Sequence, residues 1–408
     1  MNQEPNKVSE PIIIFVSLEQ TELPKFREDG RKEWVSYGQK NDFPDLLLEL
    51  SRRSALHGAI LSSKANDAAG DGVSRKDRSA EEVMFMNAPN PEYDIDELIL
   101  RCAWDLAMFG GFILNPIMSN DGKKVAELWH ADWSRFRSGL KDEDGKVNQL
   151  WYSKDWKRLN DKRYAPVAYD VWGMERRRGS FVKQYSMYTA GVEYYPLPNY
   201  TAALATIETD AEIANFALAS IRNGMAPSIL VNFPNGLPTP EEERAIEKKI
   251  KQKYQGSDNA GKFILTFSEG ADKAPTVTTI AATDLDKQFI QLKETVLQGI
   301  LSGHGVVSPL LVGIPSPVGL GGTSIVKEAW QLYESRVVLP LRKKVERAIS
   351  EAMTFNGWRP IKLVSSSPVE FSYSESVIQN ILTTDELRAN AGYPPLPANE
   401  NKQEENGN

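Results

Sequence analysis

Cysteine is nearly absent from these 408 residues, with Cys102 the only one. A single thiol excludes an intrachain disulfide and any multi-cysteine metal site. Its apolar neighbours Leu98, Leu100, Ala103 and Leu106 suit a buried thiol acting as a small hydrophobe. Histidine is scarce as well: His57, His130 and His304 are the three present. None stands at metal-ligand spacing from another and no HExxH occurs, so each reads as a surface or core histidine. No stretch approaches the ~20 apolar residues that span a bilayer. The N-terminal MNQEPNKVSE lacks the basic and apolar regions of a signal peptide. The expectation is a chain that works without membrane contact, in a reducing cytoplasm or in a particle assembled there. A basic excess is also missing: 48 basic residues stand against 55 acidic, for a net charge of −7. Sequence-independent clamps on nucleic acid draw their affinity from neutralised phosphates. This balance argues against gripping DNA, though not against a passage through which DNA moves.

What is present is a chain that can bury a core, with 41% hydrophobic and 25% charged residues. Its length allows two or three domains. Residues 1–10 and the tail from Ala398 to Asn408 have the composition of disordered termini, and Ile12 to Leu18 reads as a strand. Asp42 is a plausible cap for a helix that should run to Gly70-Asp-Gly72. A second helix from about Asp94 to Phe109 ends at Gly110-Gly111. Strands Phe112–Met118 and Lys124–His130 follow as a hairpin around Asn120-Asp121-Gly122. Residues 129–199 hold five of the nine tryptophans, with short strands expected at Gln149–Tyr152, Ala168–Trp172 and Ser186–Tyr188. Such an aromatic block could be a stacking or sugar-binding platform, but it is more simply a small domain's core and rim.

The centre carries the clearest pattern. Leu204, Ile207, Ala211, Ala214, Leu218 and Ile221 recur at spacings of three and four, which puts them on one face of a helix over Tyr200–Asn223. A small insert follows: strand Pro227–Phe233, a charged helix Glu241–Tyr254, and strands Lys262–Phe267 and Thr276–Ile280. A second helix, Asp284–Leu301, places Phe289, Leu292, Val296 and Ile300 on one face, and Gly303 to Gly322 is a loop dense in helix breakers. Thr323 then caps a long helix to about Met353 that contains Pro340, where a kink is expected.

No catalytic constellation emerges. The segment Gly313–Ser324 resembles a phosphate cradle, but Gly322 is followed by Thr323-Ser324 where a P-loop needs a lysine. No G-x-S-x-G elbow is present. No cofactor is implied.

With this order in hand, the sequence resembles a phage portal (connector) protein of the siphophage type. The resemblance runs from the first helix to near the C-terminus. Asp105-Leu-Ala-Met-Phe-Gly-Gly-Phe-Ile-Leu114 with Leu128-Trp-His-Ala-Asp132 is similar to the helix, glycine and strand segment of the family's wing. Tyr200–Asn223 running into Gly224-Met-Ala-Pro-Ser228 resembles its first stem helix, and Asn259-Ala-Gly-Lys-Phe-Ile-Leu265 its clip strand. Asp286-Lys-Gln-Phe-Ile290 resembles the second stem helix. His304-Gly-Val-Val-Ser-Pro-Leu-Leu-Val-Gly313 stands where the family has a G-V-P-P-x-L-L-G run. Pro340, Leu382-Thr-Thr-Asp-Glu-Leu-Arg388 and Gly392-Tyr-Pro-Pro395 complete the pattern. Ser308-Pro309 departs from the usual Pro-Pro, and residues 140–195 are longer and more aromatic than the family leads one to expect.

The resemblance implies an α+β portal fold with an α/β wing, a helical stem, a small α/β clip and a long kinked helix. It divides the chain into a wing region (1–199), a first stem helix (200–224), a clip (225–282) and a second stem helix (283–303). A tunnel-loop region (304–322), a spine helix (323–357) and a C-terminal wing or crown segment (358–408) follow. It implies a non-enzymatic homo-oligomeric ring, a dodecamer, at one vertex of a virion capsid. Double-stranded DNA passes through such a ring without sequence preference. Partners would be the large terminase, the major capsid protein and a head-completion or adaptor protein. Gly313, Pro315, Pro317, Gly319, Gly321 and Gly322 would belong to the tunnel loop. Glu208, Asp210 and Glu212 are candidates to face the channel, against the alternative of an ordinary solvated helix face. Glu241, Glu242, Glu243, Lys248 and Lys249 are candidates for terminase docking on the clip. The competing readings are a capsid or connector scaffold without a DNA conduit, and a nucleotide hydrolase using the glycine-rich loop.

Overall fold

The computed structural model describes residues 24–222, 229–233, 239, 241, 263–267, 282–314 and 323–365. The expected strand Ile12–Leu18, all but the start of the charged helix Glu241–Tyr254, the strand Thr276–Ile280 and the C-terminal segment from residue 366 lie outside these.

The first expected helix is in fact two. Helix α1 spans Phe43–Arg53 and α2 spans Ala55–Ala69. Ser54 between them is extended (φ −93°, ψ 112°), and its Oγ accepts from the His57 N–H at 3.2 Å, so it ends one helix and caps the next. The corner is tight: a Cβ on Gly58 would lie 2.6 Å from the Ser51 carbonyl oxygen. Apolar periodicity carries across such a corner undisturbed, which is why the break was not visible in it.

Helix α3, Ala80–Asn87, has a capping box in which Ser79 and Glu82 satisfy each other's backbone N–H groups. This helix was absent from the sequence expectations, although the Ser-x-x-Glu signal for it was there. Helix α4, Ile95–Phe109, starts at the Asp94 cap and ends on left-handed Gly110, as the sequence indicated. It packs against α2, and Cys102 is buried there, its thiol pushed up by burial.

Strand β1 (Gly111–Met118) pairs antiparallel with β2 (Val125–Ala131), giving the expected hairpin. Strands β3 (Phe136–Ser138), β4 (Gln149–Tyr152) and β5 (Val167–Asp170) form a separate antiparallel sheet. Strand β6 (Lys183–Ser186) leaves them and joins the other edge of β1. The last two strands begin before their expected positions, because pairing partners rather than local composition set their register.

The aromatic block is core and rim. Trp133 and Trp172 are buried, and Tyr37 stacks on Tyr195 with ring centroids 3.9 Å apart. Arg137, also buried, donates to the carbonyls of Asn41, Ser134 and Phe136 and lies 4.8 Å from the Trp156 ring centroid. These bonds tie the chain before α1 to the β3–β5 sheet.

Helix α5 (Leu204–Arg222) and helix α6 (Ala282–His304) pack on each other. Between them in sequence, β7 (Ile229–Phe233) and β8 (Phe263–Phe267) pair in parallel. Helix α7 (Thr323–Tyr333) passes through a π turn, Glu334–Val338, into helix α8 (Leu339–Phe355). Pro340 sits in the first turn of α8. Its missing N–H and its ring disfavour the ordinary bond to the residue four back. The ladder immediately ahead of it widens instead, with the Leu339 N–H donating to the Glu334 carbonyl. No described helix is long and apolar enough to cross a membrane.

After α8, Asn356 acts as a detached piece of strand. Its Oδ1 accepts from the Val125 N–H at 2.7 Å and its Nδ2 donates to the Val125 carbonyl at 2.9 Å, both buried. Asn356→Ala leaves both backbone groups of Val125 without partners. The expected loss is about 2–4 kcal/mol of unfolding free energy, read from the denaturant midpoint at unchanged slope.

Candidate functional site

The residues that organise this molecule lie where α2, the entry to α5 and the end of α6 meet. Gly299 and Gly303, one turn apart on α6, let its backbone approach α5 closely. A Cβ at Gly303 would sit 2.4 Å from the Ala203 Cβ, and one at Gly299 would sit 2.9 Å from Thr206 Cγ2. Gly303 therefore packs the helix rather than ending it, against the expectation of a loop beginning there. The stop is Gly305 (φ 70°): its N–H donates to Ser302 O and the Val306 N–H to Leu301 O, a Schellman closure. His304 is thereby held as the last residue of α6.

From that position His304 reaches α2. Its Nε2 lies 2.9 Å from His57 Nδ1, and its Nδ1 lies 3.1 Å from Lys64 Nζ. Lys64 Nζ also donates to Asn199 Oδ1 at 3.4 Å. Tyr200 covers the cluster, stacked on His304 and edge-on to His57, and its hydroxyl donates to the Met108 carbonyl at 2.5 Å. His57, Lys64, Tyr200 and His304 are all buried. With Lys64 as an ammonium the donors run one way, from Lys64 to His304 Nδ1 and from His304 Nε2–H to His57 Nδ1. The chain ends on His57 Nε2, which is buried without a partner.

Burial dominates the electrostatics. It pushes His57 down to about 3, with Lys64 adding to the effect, and holds His304 well below the usual imidazole range. Lys64 is pushed down to about 7 by burial. The two imidazoles are therefore neutral at neutral pH. His130 is different: burial opposes its charged form, but the Asp105 carboxylate 2.7 Å away outweighs this and raises it.

The α1–α2 corner is bolted to α5 beside this cluster. Ser54 Oγ donates to Asp210 Oδ2 at 2.7 Å, and Arg53 pairs with Glu212 and with Glu49. At the other end of α2, Arg342 of α8 donates to the Asp67 carbonyl at 2.7 Å and pairs with Glu334 at the start of the π turn. The guanidinium caps carbonyls that a helix end leaves open.

Intrachain cover of the α5 and α6 stripes stops partway. Leu204, Ile207 and Ala211 are buried, whereas Leu218 is 46% exposed. On α6, Val296 and Ile300 are buried, but residues 290 to 295 are all exposed, with Ile290 at 59% and Leu292 at 42%. The same periodic pattern thus serves two environments.

The sequence model of the phage portal protein family matches residues 59–391. The chain belongs to the phage portal protein family. Portal-family membership agrees with the resemblance drawn from the motifs, and the α+β architecture agrees as well. Among solved structures, a chain from the neck of an empty GTA particle, computed with C6 symmetry, is similar in fold. Its TM-score is 0.53 at 17% identity, covering 86% of this chain and 94% of that one. A chain of the virion of a native gene transfer agent particle gives 0.53 at 18% identity over the same shares. An uncharacterized protein of Rickettsia bellii is 28% identical over 213 residues, 50% of this chain and 53% of that protein. The chain spans about half the length of the curated relatives it matches.

The structure places the other portal-motif candidates unevenly. Asp210 and Glu212 are engaged with Ser54 and Arg53, and Glu208 is half-buried. Gly313 has φ 72° and closes a short 3-10 turn, Pro309–Val312. Pro315, Pro317, Gly319, Gly321 and Gly322 lie outside the described residues, as do Glu242, Glu243, Lys248 and Lys249. Glu241 is exposed. The cluster of His57, Lys64 and His304 was not anticipated, since His304 lies 247 positions from His57 and 240 from Lys64. Among the described residues, no group of three or more histidine, cysteine or carboxylate side chains is placed to hold a metal ion.

The glycine contacts give a graded expectation. Gly303→Ala meets a Cβ fixed to a helix backbone and should cost about 1–3 kcal/mol. Gly299→Ala meets a threonine side chain that can yield and should cost less, as thermal unfolding of the two variants would show.

Proposed function

We propose that this chain is the structural subunit of a portal ring at the capsid vertex, a conduit for DNA packaging and ejection. Family membership supports the reading, and the observation that carries it is the pair of apolar stripes whose cover runs out. One turn of α6 exposed on every side, with Ile290 and Leu292 open, is costly for a lone chain. Each such side chain gains about 1.5–3 kcal/mol when fully buried. In a closed ring every subunit covers its neighbour by the same head-to-tail contact, and no interface is left free. A dodecamer is the proposed count, with the particle vertex as location and the host cytoplasm as the place of assembly.

Within that ring, α5 and α6 are the stem, residues 225–282 the clip, 304–322 the tunnel-loop region and 323–357 the spine. Residues 1–199 and 358–408 supply the wing and crown. The tunnel loop comprises Gly313, Pro315, Pro317, Gly319, Gly321 and Gly322, whose glycines permit backbone rearrangement against a passing duplex. Of the three candidate channel carboxylates, Glu212 keeps 58% of its side chain exposed while also pairing with Arg53. An acidic balance suits passage, since each lysine–phosphate contact would act as a salt-dependent brake. Glu241, Glu242, Glu243, Lys248 and Lys249 on the clip are proposed to meet the large terminase. The major capsid protein and a head-completion adaptor are the other partners. The role is structural rather than catalytic.

Electron microscopy of the purified full chain should show closed rings with a central hole, and monomers or open aggregates alone would overturn the proposal. Ile290→Arg combined with Leu292→Arg should abolish rings while leaving the far-ultraviolet circular dichroism unchanged. Pro340→Ala, which restores an N–H beside the π turn, should alter ring yield more than unfolding temperature. An unchanged ring yield in that variant would remove the π turn from the assembly mechanism.

A further inference from the structure

We propose that Lys64, His304 and His57 form a proton-operated latch that holds the end of α6 on α2 only while the cluster carries at most one proton. The geometry itself sets this limit. One proton is accommodated on Lys64, whose ammonium can donate to Asn199 Oδ1 and His304 Nδ1. A second proton on His304 would turn its Nδ1–H toward the Lys64 donors. On His57 it would turn Nδ1–H toward the Nε2–H of His304, 2.9 Å away. Either way two donors face each other in a buried site, where an unmet donor is most costly.

Among the described residues, no carboxylate acts on the cluster to offset that repulsion. The charges acting on these three groups are one another's, and no carboxylate contributes. The surrounding elements supply none. The entry to α5 presents the Asn199 amide and the Tyr200 phenol, itself raised far by burial. Asp210 is taken up by Ser54, and Arg53 by Glu49 and Glu212. On α4, Asp105 is paired with His130, and the Cys102 thiol is pushed up and neutral. On α2 itself, Asp67 is raised to about 6 by burial and lies beside Arg342, which pairs with Glu334. The 3-10 turn Pro309–Val312, which also packs on α2, has no titratable side chain. An open groove of about 570 Å³, lined in part by Lys64, Asn199, Leu106 and Leu341, gives water and protons a route to the cluster.

The sign follows from where the groups titrate. Both histidines are depressed below 6.5 when buried, so the opened state binds more protons as pH falls below that value, and the latch weakens. Lys64 is depressed from 10.5 to about 7, so its own contribution to the slope lies on the alkaline side. The loss between about pH 7 and 5 belongs to the histidines. Opening would free α6 from α2 at the point where the two stripe-bearing helices join the rest of the chain. This is a property of a single chain and does not depend on ring closure.

Hydrogen exchange on the full chain, corrected for intrinsic rates, tests it. Between about pH 7.5 and 5.5, segments 55–64 and 296–304 should lose protection by about tenfold or more while β1 keeps its own. In the double variant His57→Gln/His304→Gln that loss should disappear, although His130 is still present. Lys64→Met should shrink the acid loss while leaving its onset near pH 6.5, because a proton on a histidine then meets no ammonium and the closed state disfavours it less. The latch is overturned if the wild type shows no acid loosening, or if the double variant loosens equally. Should the double variant fail to fold by circular dichroism, Lys64→Met decides alone, and an undiminished acid loss overturns the proposal.

Discussion

A methyl group on Gly303 would stand 2.4 Å from the Ala203 Cβ, and this close approach of α6 to the entry of α5 is the constraint on which the rest of the arrangement hangs. It brings the helix end near enough for His304 to reach His57 and Lys64. The Schellman closure at Gly305 fixes the last turn so that the imidazole points inward. Tyr200, at the entry to α5, then closes the cluster, and its hydroxyl ties that entry to the end of α4. Four elements are held by one backbone contact and the polar groups it aligns. A bulkier residue at 303 would disturb all of them together.

The cluster is an unusual use of buried polarity. Buried bases are generally paired with acids or left out of cores. Here three bases share hydrogen bonds with one another and with Asn199, and the orphaned His57 Nε2 marks the end of the chain of donors. Such a network specifies one alignment of helices, because any other leaves several polar groups unmet. It stabilises less than an apolar core would, and its strength depends on how many protons it carries. Around the other end of α2, Arg342 does the mechanical work with a permanent charge and carbonyl acceptors. The two ends of one helix are therefore anchored by chemistry that responds differently to pH.

Helices α5 and α6 join this anchored region to surfaces that the chain does not cover. Burial of Leu204 and Ile207 at one end and exposure of Leu218, Ile290 and Leu292 at the other divide one periodic pattern between the chain's own core and a surface that the proposed ring would cover. The π turn ahead of Pro340 has a related character. A proline that would break an ordinary ladder is accommodated by one wide turn, and Glu334 at its start is held by Arg342.

Much of this was legible in the sequence, for identifiable reasons. Local signals gave α4 between Asp94 and Gly110, the β1–β2 hairpin around Asn120-Asp121-Gly122, and the long helices α5 and α6, since caps, turns and periodicity act over a few residues. The ordered motifs pointed to the portal family. Where local rules allowed two outcomes, only tertiary contact chose. Ser54 split one apolar pattern into two helices because its Oγ could cap α2 and meet Asp210. Gly303, a helix breaker by propensity, stayed helical because Ala203 left no room for a Cβ. Strands β5 and β6 began earlier than composition suggested, where their partners β4 and β1 could bond them. His57 and His304 each looked solitary because histidine carries no sequence mark of a partner 247 positions away. The sequence by itself determined α4, the β1–β2 hairpin, the helices α5 and α6, and the family that the ordered motifs make. The folded chain decided which buried groups meet, because that depends on distances across packed backbones rather than on spacing along one.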